Sequence, residues 1–316
     1  MKIPDGAAGA SDSRRGIALA FGAAAVSGVA VFINAYGVRA VADATVYTTA
    51  KNLVAAAVLG GLALAVARPS GHRAGTPSRL RPVQLVGLGA IAVVGGSVPF
   101  VLFFEGLARA SSSQAAFVHK TLVIWVAALA VPLLGERLRA LHVVAIATLV
   151  VGQAVLAGGL AGFRFGGGEW LVLAATLLWS VEVVLAKWLL RDVPARIIAV
   201  VRMAAGAALL TAWVTVSGRW SALAGLGGEG WTWAALTGLI LAVYVALWFS
   251  ALALAPAVDV TAVLVVAAVL TGVLNVVVKG NAITGWTGTG MLIVLAGGAL
   301  AAAAARTRST RSRVAT

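Results

Sequence analysis

The chain has 316 residues, of which 61% are hydrophobic and only 11% are Asp, Glu, Lys or Arg, with a mean hydropathy of +1.01. That apolar excess is more than one soluble core can bury, and the lack of any cysteine removes a disulfide-stapled secreted module, so the composition describes a polytopic membrane protein. The net charge of +14 lies in loops and tails, where it sets topology and gives no reason to expect a nucleic-acid partner.

A spanning helix needs about 20 apolar residues, and the runs separated by Gly, Pro and basic clusters number ten. They cover residues 16–36, 45–67, 83–107, 112–134, 140–161, 169–190, 195–217, 231–254, 257–278 and 284–305. Their length and lack of two-residue alternation predict helices, not barrel strands. The second run holds Lys51 and Asn52, and the third is interrupted by Gly95, Gly96 and Pro99 and ends near Glu105. Arg109 and the Ser111–Ser113 run mark the boundary with the fourth, which contains Gln114, His119, Lys120 and Thr121. After the fifth run, Trp179, Glu182 and Lys187 fall in the sixth and Arg202 in the seventh. Pro256 and Asp259 divide the eighth from the ninth, which carries Thr271 and Asn275. Fifteen Lys and Arg flank the spans on the side of the two tails and five on the other, so both termini are expected in the cytoplasm, with the protein in the plasma membrane.

Charges inside spans cost on the order of 2.5–3.5 kcal/mol each and should meet a cavity or a partner. Thr48, Lys51 and Asn52 share one helical face, as do Ser113, Phe117 and Lys120, and Trp179, Glu182 and Ala186. The candidate substrate-binding or coupling residues are Lys120, Glu182, Lys51, Glu105, His119, Arg202, Asn52 and Asn275. Two readings stay open for them. They line a cavity, or they form permanent salt bridges such as Glu182 with Lys120 or Arg202; Arg202 has the further option of reaching the membrane interface. Lys187, near a span end, is expected to snorkel. His119 and Lys120 stand about 100° apart, so at most one can point squarely into the same cavity; Lys120 is expected inward, with His119 as its hydrogen-bonding neighbour. Lys51, Lys120 and Arg202 against Glu105 and Glu182 leave one positive charge over, which favours a substrate bearing a carboxylate. No nucleophile-and-base pair, HExxH helix or P-loop occurs, so neither catalytic residues, nor a metal, nor a cofactor are expected.

The two halves repeat one another. A shift of 145 residues carries Gly135 onto Gly280, Leu138 onto Ile283 and Gly152 onto Gly297, and shifts of 151 and 153 carry Lys51 onto Arg202 and Ser27 onto Ser180. Five spans per half is an odd number, so the copies run in opposite directions through the membrane. The expected fold is an all-α membrane protein of ten transmembrane helices in two inverted five-helix repeats. Its parts are an N-terminal tail at 1–15, repeats at 16–161 and 169–305, and a basic tail at 306–316.

This organisation resembles the drug/metabolite transporter superfamily and, within it, the EamA-type permeases. The resemblance rests on the five-plus-five helices and the Gly135-Glu136-Arg137-Leu138 turn. It rests also on a basic residue in the second helix of each half and the Ala-Leu-Ala-rich ends of the third and eighth helices. In the second half Lys279-Gly280-Asn281-Ala282-Ile283 departs from the family's Gly-Glu turn. Glu136 itself is expected to cap the helix that follows it. The resemblance implies a cavity formed by helices one to four and six to nine, with the fifth and tenth at the periphery supporting a homodimer. It also implies export of a small metabolite or drug by proton antiport; Glu182 and Glu105, as carboxylates within spans, are the candidates for the coupling group. A membrane scaffold or channel is the main alternative reading, and a membrane-embedded enzyme the weaker one.

Overall fold

The computed structural model describes residues 10–66, 80–110, 112–159, 165–280 and 282–311, and all regular structure among them is helical. In chain order the helices are α1 (Ala10–Ala40), α2 (Ala44–Val66), α3 (Pro82–Val94), α4 (Val98–Leu107), α5 (Ser112–Lys120), α6 (Leu122–Leu134) and α7 (Ala140–Leu156). The second half comprises α8 (Gly167–Leu189), α9 (Ala195–Val216), the short α10 (Trp220–Ala224), α11 (Gly228–Leu254), α12 (Ala257–Leu264), α13 (Ala267–Lys279) and α14 (Gly285–Arg311). The pairs α3–α4, α5–α6 and α12–α13 are each one interrupted span, so the ten expected spans are present. Among the described residues nine are long and apolar enough to cross a bilayer unaided, while α7 has 17 residues. The expected end of that span at 161 lies outside the described residues. Helix also extends beyond the apolar runs, since α1 begins at Ala10 and α14 continues to Arg311; Arg and Ala favour helix in or out of lipid.

The repeat is visible in the backbone. Gly135 ends α6 and Gly280 ends α13, both in the left-handed conformation at φ 71° and 67°, which a residue with Cβ adopts only at a cost. The interruption at Thr121 recurs at Val266, again 145 residues on, and in both the backbone tightens to bonds between residues three apart. The outermost pair, α7 and α14, crosses at matched points: Gly152 lies against Val294, and Gly297 against Leu149. The same shift of 145 exchanges these two contacts. Small residues let the helices approach closely in this way, since dispersion and not hydrophobicity drives association in lipid.

One break has a specific cause. Between α3 and α4 a turn at Gly95–Ser97 brings the chain against α9, where Gly96 and Gly206 meet backbone to backbone with no space for a side chain on either. The two ends of the bundle are called here the tail side, where α1 begins and α14 ends, and the far side.

Candidate functional site

The candidate residues fall at three levels between the far side and the tail side. At the far side, Asp43 caps α2 by accepting from the Thr45 and Val46 amides at 2.8 and 3.0 Å. Glu105, at the end of α4, accepts from Thr45 Oγ1 at 3.1 Å and pairs with Arg109 at 3.0 Å. Arg219, from the second half, reaches across to Asp43 and Glu105 at 3.5 Å each. These groups are a quarter or more exposed, so each pair contributes at most about 1 kcal/mol.

The second level begins seven residues into α2, about 10 Å below that network. Lys51 is 4% exposed. Its ammonium donates to Asn34 Oδ1 at 3.1 Å and lies 4.2 Å from the Phe104 ring centre, 5.4 Å from that of Tyr47 and 5.7 Å from that of Phe100. The Tyr47 hydroxyl lies 2.9 Å from both Asn34 Oδ1 and Thr237 Oγ1, the latter in the opposite half. Asn52, one turn along α2, donates its amide to the Thr48 carbonyl at 2.7 Å. Its Oδ1 and the Thr48 hydroxyl are buried without a hydrogen-bond partner.

Nearer the middle, Glu182 of α8 receives both the Nε and a terminal nitrogen of Arg202 of α9, and both side chains are buried. Arg202 therefore does not reach the interface. It is held against the Phe100 ring, 5.5 Å from its centre, so Phe100 touches the Lys51 and Arg202 cations alike. Space for the Glu182 carboxyl exists because Gly95 has no side chain, and the Gly95 carbonyl accepts from Trp179 Nε1 at 3.1 Å. The glycine break is thus a kink with its freed carbonyl already satisfied.

His119 and Lys120 occupy the end of α5 next to this level. The His119 ring packs edge-on to Phe103 and Trp179 at 5.1 and 5.0 Å, with Nδ1 3.5 Å from Thr176 Oγ1. Lys120 lines, with His119, Thr261 and Val265, a recess of about 10 Å³, room for roughly one water. Glu182 pairs with Arg202 and not with Lys120. Asn275 donates to the Thr271 carbonyl at 2.9 Å, and Thr271 in turn donates to the Gly28 carbonyl of the other half at 2.9 Å. The structure therefore gathers Lys51, Glu182 and Arg202 around Phe100, sets His119 beside them through Trp179, and places Glu105 above and Asn275 apart.

The tail side holds groups that sequence reasoning assigned otherwise. Glu136 does not cap the helix that follows it. Its carboxylate accepts from the Ala257 and Val258 amides at 2.7 and 3.2 Å and so caps α12, in the other half. The N-terminus of α7 is served instead by His142, whose Nδ1 accepts from the Arg139 amide at 3.2 Å. His142 Nε2 then lies 3.2 Å from Asp259 Oδ1, and both side chains are buried. Lys187 does not snorkel: it donates to the Leu252 and Ala255 carbonyls at 2.6 and 2.7 Å, neutralising the C-terminal end of α11. Arg81 and Asp192 close the same end with an exposed pair at 2.6 Å.

Comparison with known proteins decides the family. The EamA-like transporter family matches residues 14–158 and again 166–303. The chain belongs to the EamA-like transporter family. A crystal structure described only as that of a protein superposes with a TM-score of 0.73 at 21% identity, over 93% of this chain and 99% of the other, which supports the fold. No curated protein matches. This EamA-family protein is accordingly a multi-pass membrane protein of two repeats in a family of transporters.

Proposed function

We propose that this EamA-family protein is a secondary transporter that moves a small organic solute by alternating access, without catalysing a reaction. The observation that carries the reading is that the halves are tied to each other by polar contacts at both ends of the bundle. Arg219 of the second half meets Asp43 and Glu105 of the first at the far side. Glu136 and His142 of the first half meet α12 of the second at the tail side. A pair of inverted repeats rocking about the middle must break one set while keeping the other. A static scaffold has no use for weak, exposed ties at one end.

The two sets differ in strength, and this orders the motion. The far-side pairs are long and partly exposed, whereas Glu136 makes two charge-assisted bonds to a helix N-terminus and His142 and Asp259 are fully enclosed. The far side opens first. The excess of Lys and Arg on the tail side supports cytoplasmic termini in a plasma-membrane protein, and with that orientation far-side opening faces the exterior, in keeping with export.

The test is solute exchange in liposomes reconstituted with the protein, with the variant Asp43→Cys/Arg219→Cys added. The chain has no cysteine of its own, so a bifunctional thiol reagent bridges only these two positions. Alternating access predicts saturable exchange that stops on cross-linking and returns on cleavage of the bridge. Exchange that continues at full rate with the bridge intact would refute alternating access and favour a channel. Proton coupling is read in the same liposomes as solute movement driven by an imposed pH gradient, with Glu105→Gln and Glu182→Gln alongside.

A further inference from the structure

The Lys51 ammonium has three donors, and the described residues offer it one oxygen, Asn34 Oδ1, and no carboxylate. The remaining directions are walled by the faces of Phe104, Tyr47 and Phe100. Such faces attract a cation but supply no acceptor and no countercharge, at roughly 0.5–2 kcal/mol apiece. A methionine or leucine would fill this space without any desolvation cost. An ionisable residue kept there is a functional group by default.

The local charges give the sign of the partner Lys51 would take. Glu182 already neutralises Arg202, which shares the Phe100 ring with Lys51. Among the described residues Lys51 and Lys120 are left without a carboxylate, and of the two only Lys51 lies against the Phe100 ring. The two unpartnered polar atoms nearby, Thr48 Oγ1 and Asn52 Oδ1, lie on the same helix one turn apart and are fully buried. They belong to the same wall of α2 as Lys51.

We propose that Lys51 is the anion-binding residue of the transport site, taking the carboxylate of a small organic monoanion whose apolar or aromatic body lies against Phe100, Phe104 and Tyr47. This deepens the transporter reading and rests on it. A single carboxylate would use the two remaining ammonium donors and cancel the charge at Lys51, so entry of the anion offsets the desolvation that burial of Lys51 carries. The far-side network lies directly above, with Glu105 adjoining Phe104 in the chain and Thr45 six residues before Lys51 on α2. Release of Arg219 from Glu105 therefore uncovers the aromatic wall of the site.

Three probes share a phenyl body and differ in the head group: phenylacetate, 2-phenylacetamide and phenethylamine. Each is titrated against the purified, detergent-solubilised protein while thermal unfolding is followed, since a ligand of the native state must raise stability by mass action. Phenylacetate should stabilise the protein at a concentration about tenfold or more below that needed for the amide, and the amine should not stabilise it. Lys51→Gln should abolish this preference, and Lys51→Arg, which keeps the charge, should retain it. The proposal is overturned if the amide or amine stabilises the wild type as well as phenylacetate does, if phenylacetate has no effect, or if Lys51→Gln keeps the preference. The head-group comparison on the wild type decides even where Lys51→Gln does not fold. If other solutes exchange across liposomes while phenylacetate does not bind, the inference falls and the transporter stands. If phenylacetate binds through Lys51 and nothing exchanges, the transporter reading falls and the anion site remains.

Discussion

Glu136 offers the sharpest perturbation, because one side chain spans the two halves at a position where both its bonds are known. Its carboxylate sits on the first two amides of α12 at 2.7 and 3.2 Å. Replacement by Gln keeps the size and one acceptor oxygen but removes the charge. The loss is one of the two amide bonds together with the interaction of the charge with the helix dipole, the latter about 0.3–1 kcal/mol when exposed and up to ~2 when partly buried. Replacement by Ala removes the charge-assisted hydrogen bonds as well, about 1.5–3 kcal/mol. Two ties remain at the tail side. The Arg81–Asp192 pair is 67% and 54% exposed and adds about 1 kcal/mol at most, while the His142–Asp259 contact is untouched. Glu136→Gln should therefore move the tail-side equilibrium toward opening by about 1–2 kcal/mol, roughly a 5- to 30-fold change in the ratio of open to closed. The assay is a distance distribution between spin labels on Leu138→Cys and Arg191→Cys, both at exposed tail-side positions on opposite halves. A longer-distance population should grow in Glu136→Gln and grow further in Glu136→Ala. An unchanged distribution accompanied by a lower unfolding temperature would refute the reasoning, because Glu136 would then be a cap on an immobile α12.

Two other expectations follow from burial and close approach. Glu182→Gln or Arg202→Gln alone leaves an uncompensated charge in the bundle, at a cost of up to ~3–5 kcal/mol, whereas the double variant removes both charges. Unfolding free energies in a double-mutant cycle should show a coupling of about 1–3 kcal/mol, and a coupling below ~0.5 kcal/mol would mean that the pair is not formed in the native state. Gly206→Ala places a methyl against the Gly96 backbone, while Gly60 and Gly61 face open space. Thermal unfolding should therefore show Gly206→Ala destabilised by ~1–3 kcal/mol and Gly60→Ala stabilised by ~0.5–1 kcal/mol; equal effects at the two sites would contradict the α3–α9 contact.

The spans were legible because lipid leaves the backbone no partner but itself, so each crossing must be a long apolar helix and its ends must show in composition. The equivalence of Gly135 with Gly280 and of Gly152 with Gly297 was legible for a related reason, since left-handed caps and close crossings both demand glycine. The breaks at Thr121 and Val266 were hidden inside runs whose hydropathy does not change. Pairing among the buried charges was not legible either. Glu182 could reach Lys120 or Arg202 on helical faces alone, and the choice was made by Gly95 and Gly96, whose missing side chains admit the carboxyl on one side and α9 on the other. Glu136 shows the limit most clearly: an acidic residue ahead of a helix start is the ordinary local signature of a cap, yet the amides it serves lie 121 residues away.

Divergence between the two repeats makes the candidate site unsymmetrical. Lys51 and Arg202 stand at equivalent places, each in the second helix of its half, and both touch Phe100. Only Arg202 received a carboxylate, because Glu182 in α8 has Val29 as its counterpart in α1 under the shift of 153 that relates Ser27 to Ser180. Symmetric halves suit a motion that must run equally well in both directions. An asymmetric charge within them suits a ligand with one charged end and one apolar end, since such a ligand can bind in only one orientation. Adding a carboxylate at Val29 would restore the symmetry of charge. A carboxylate at that position able to reach Lys51 would compete directly with an anionic ligand, whereas neutral ligands would not meet that competition.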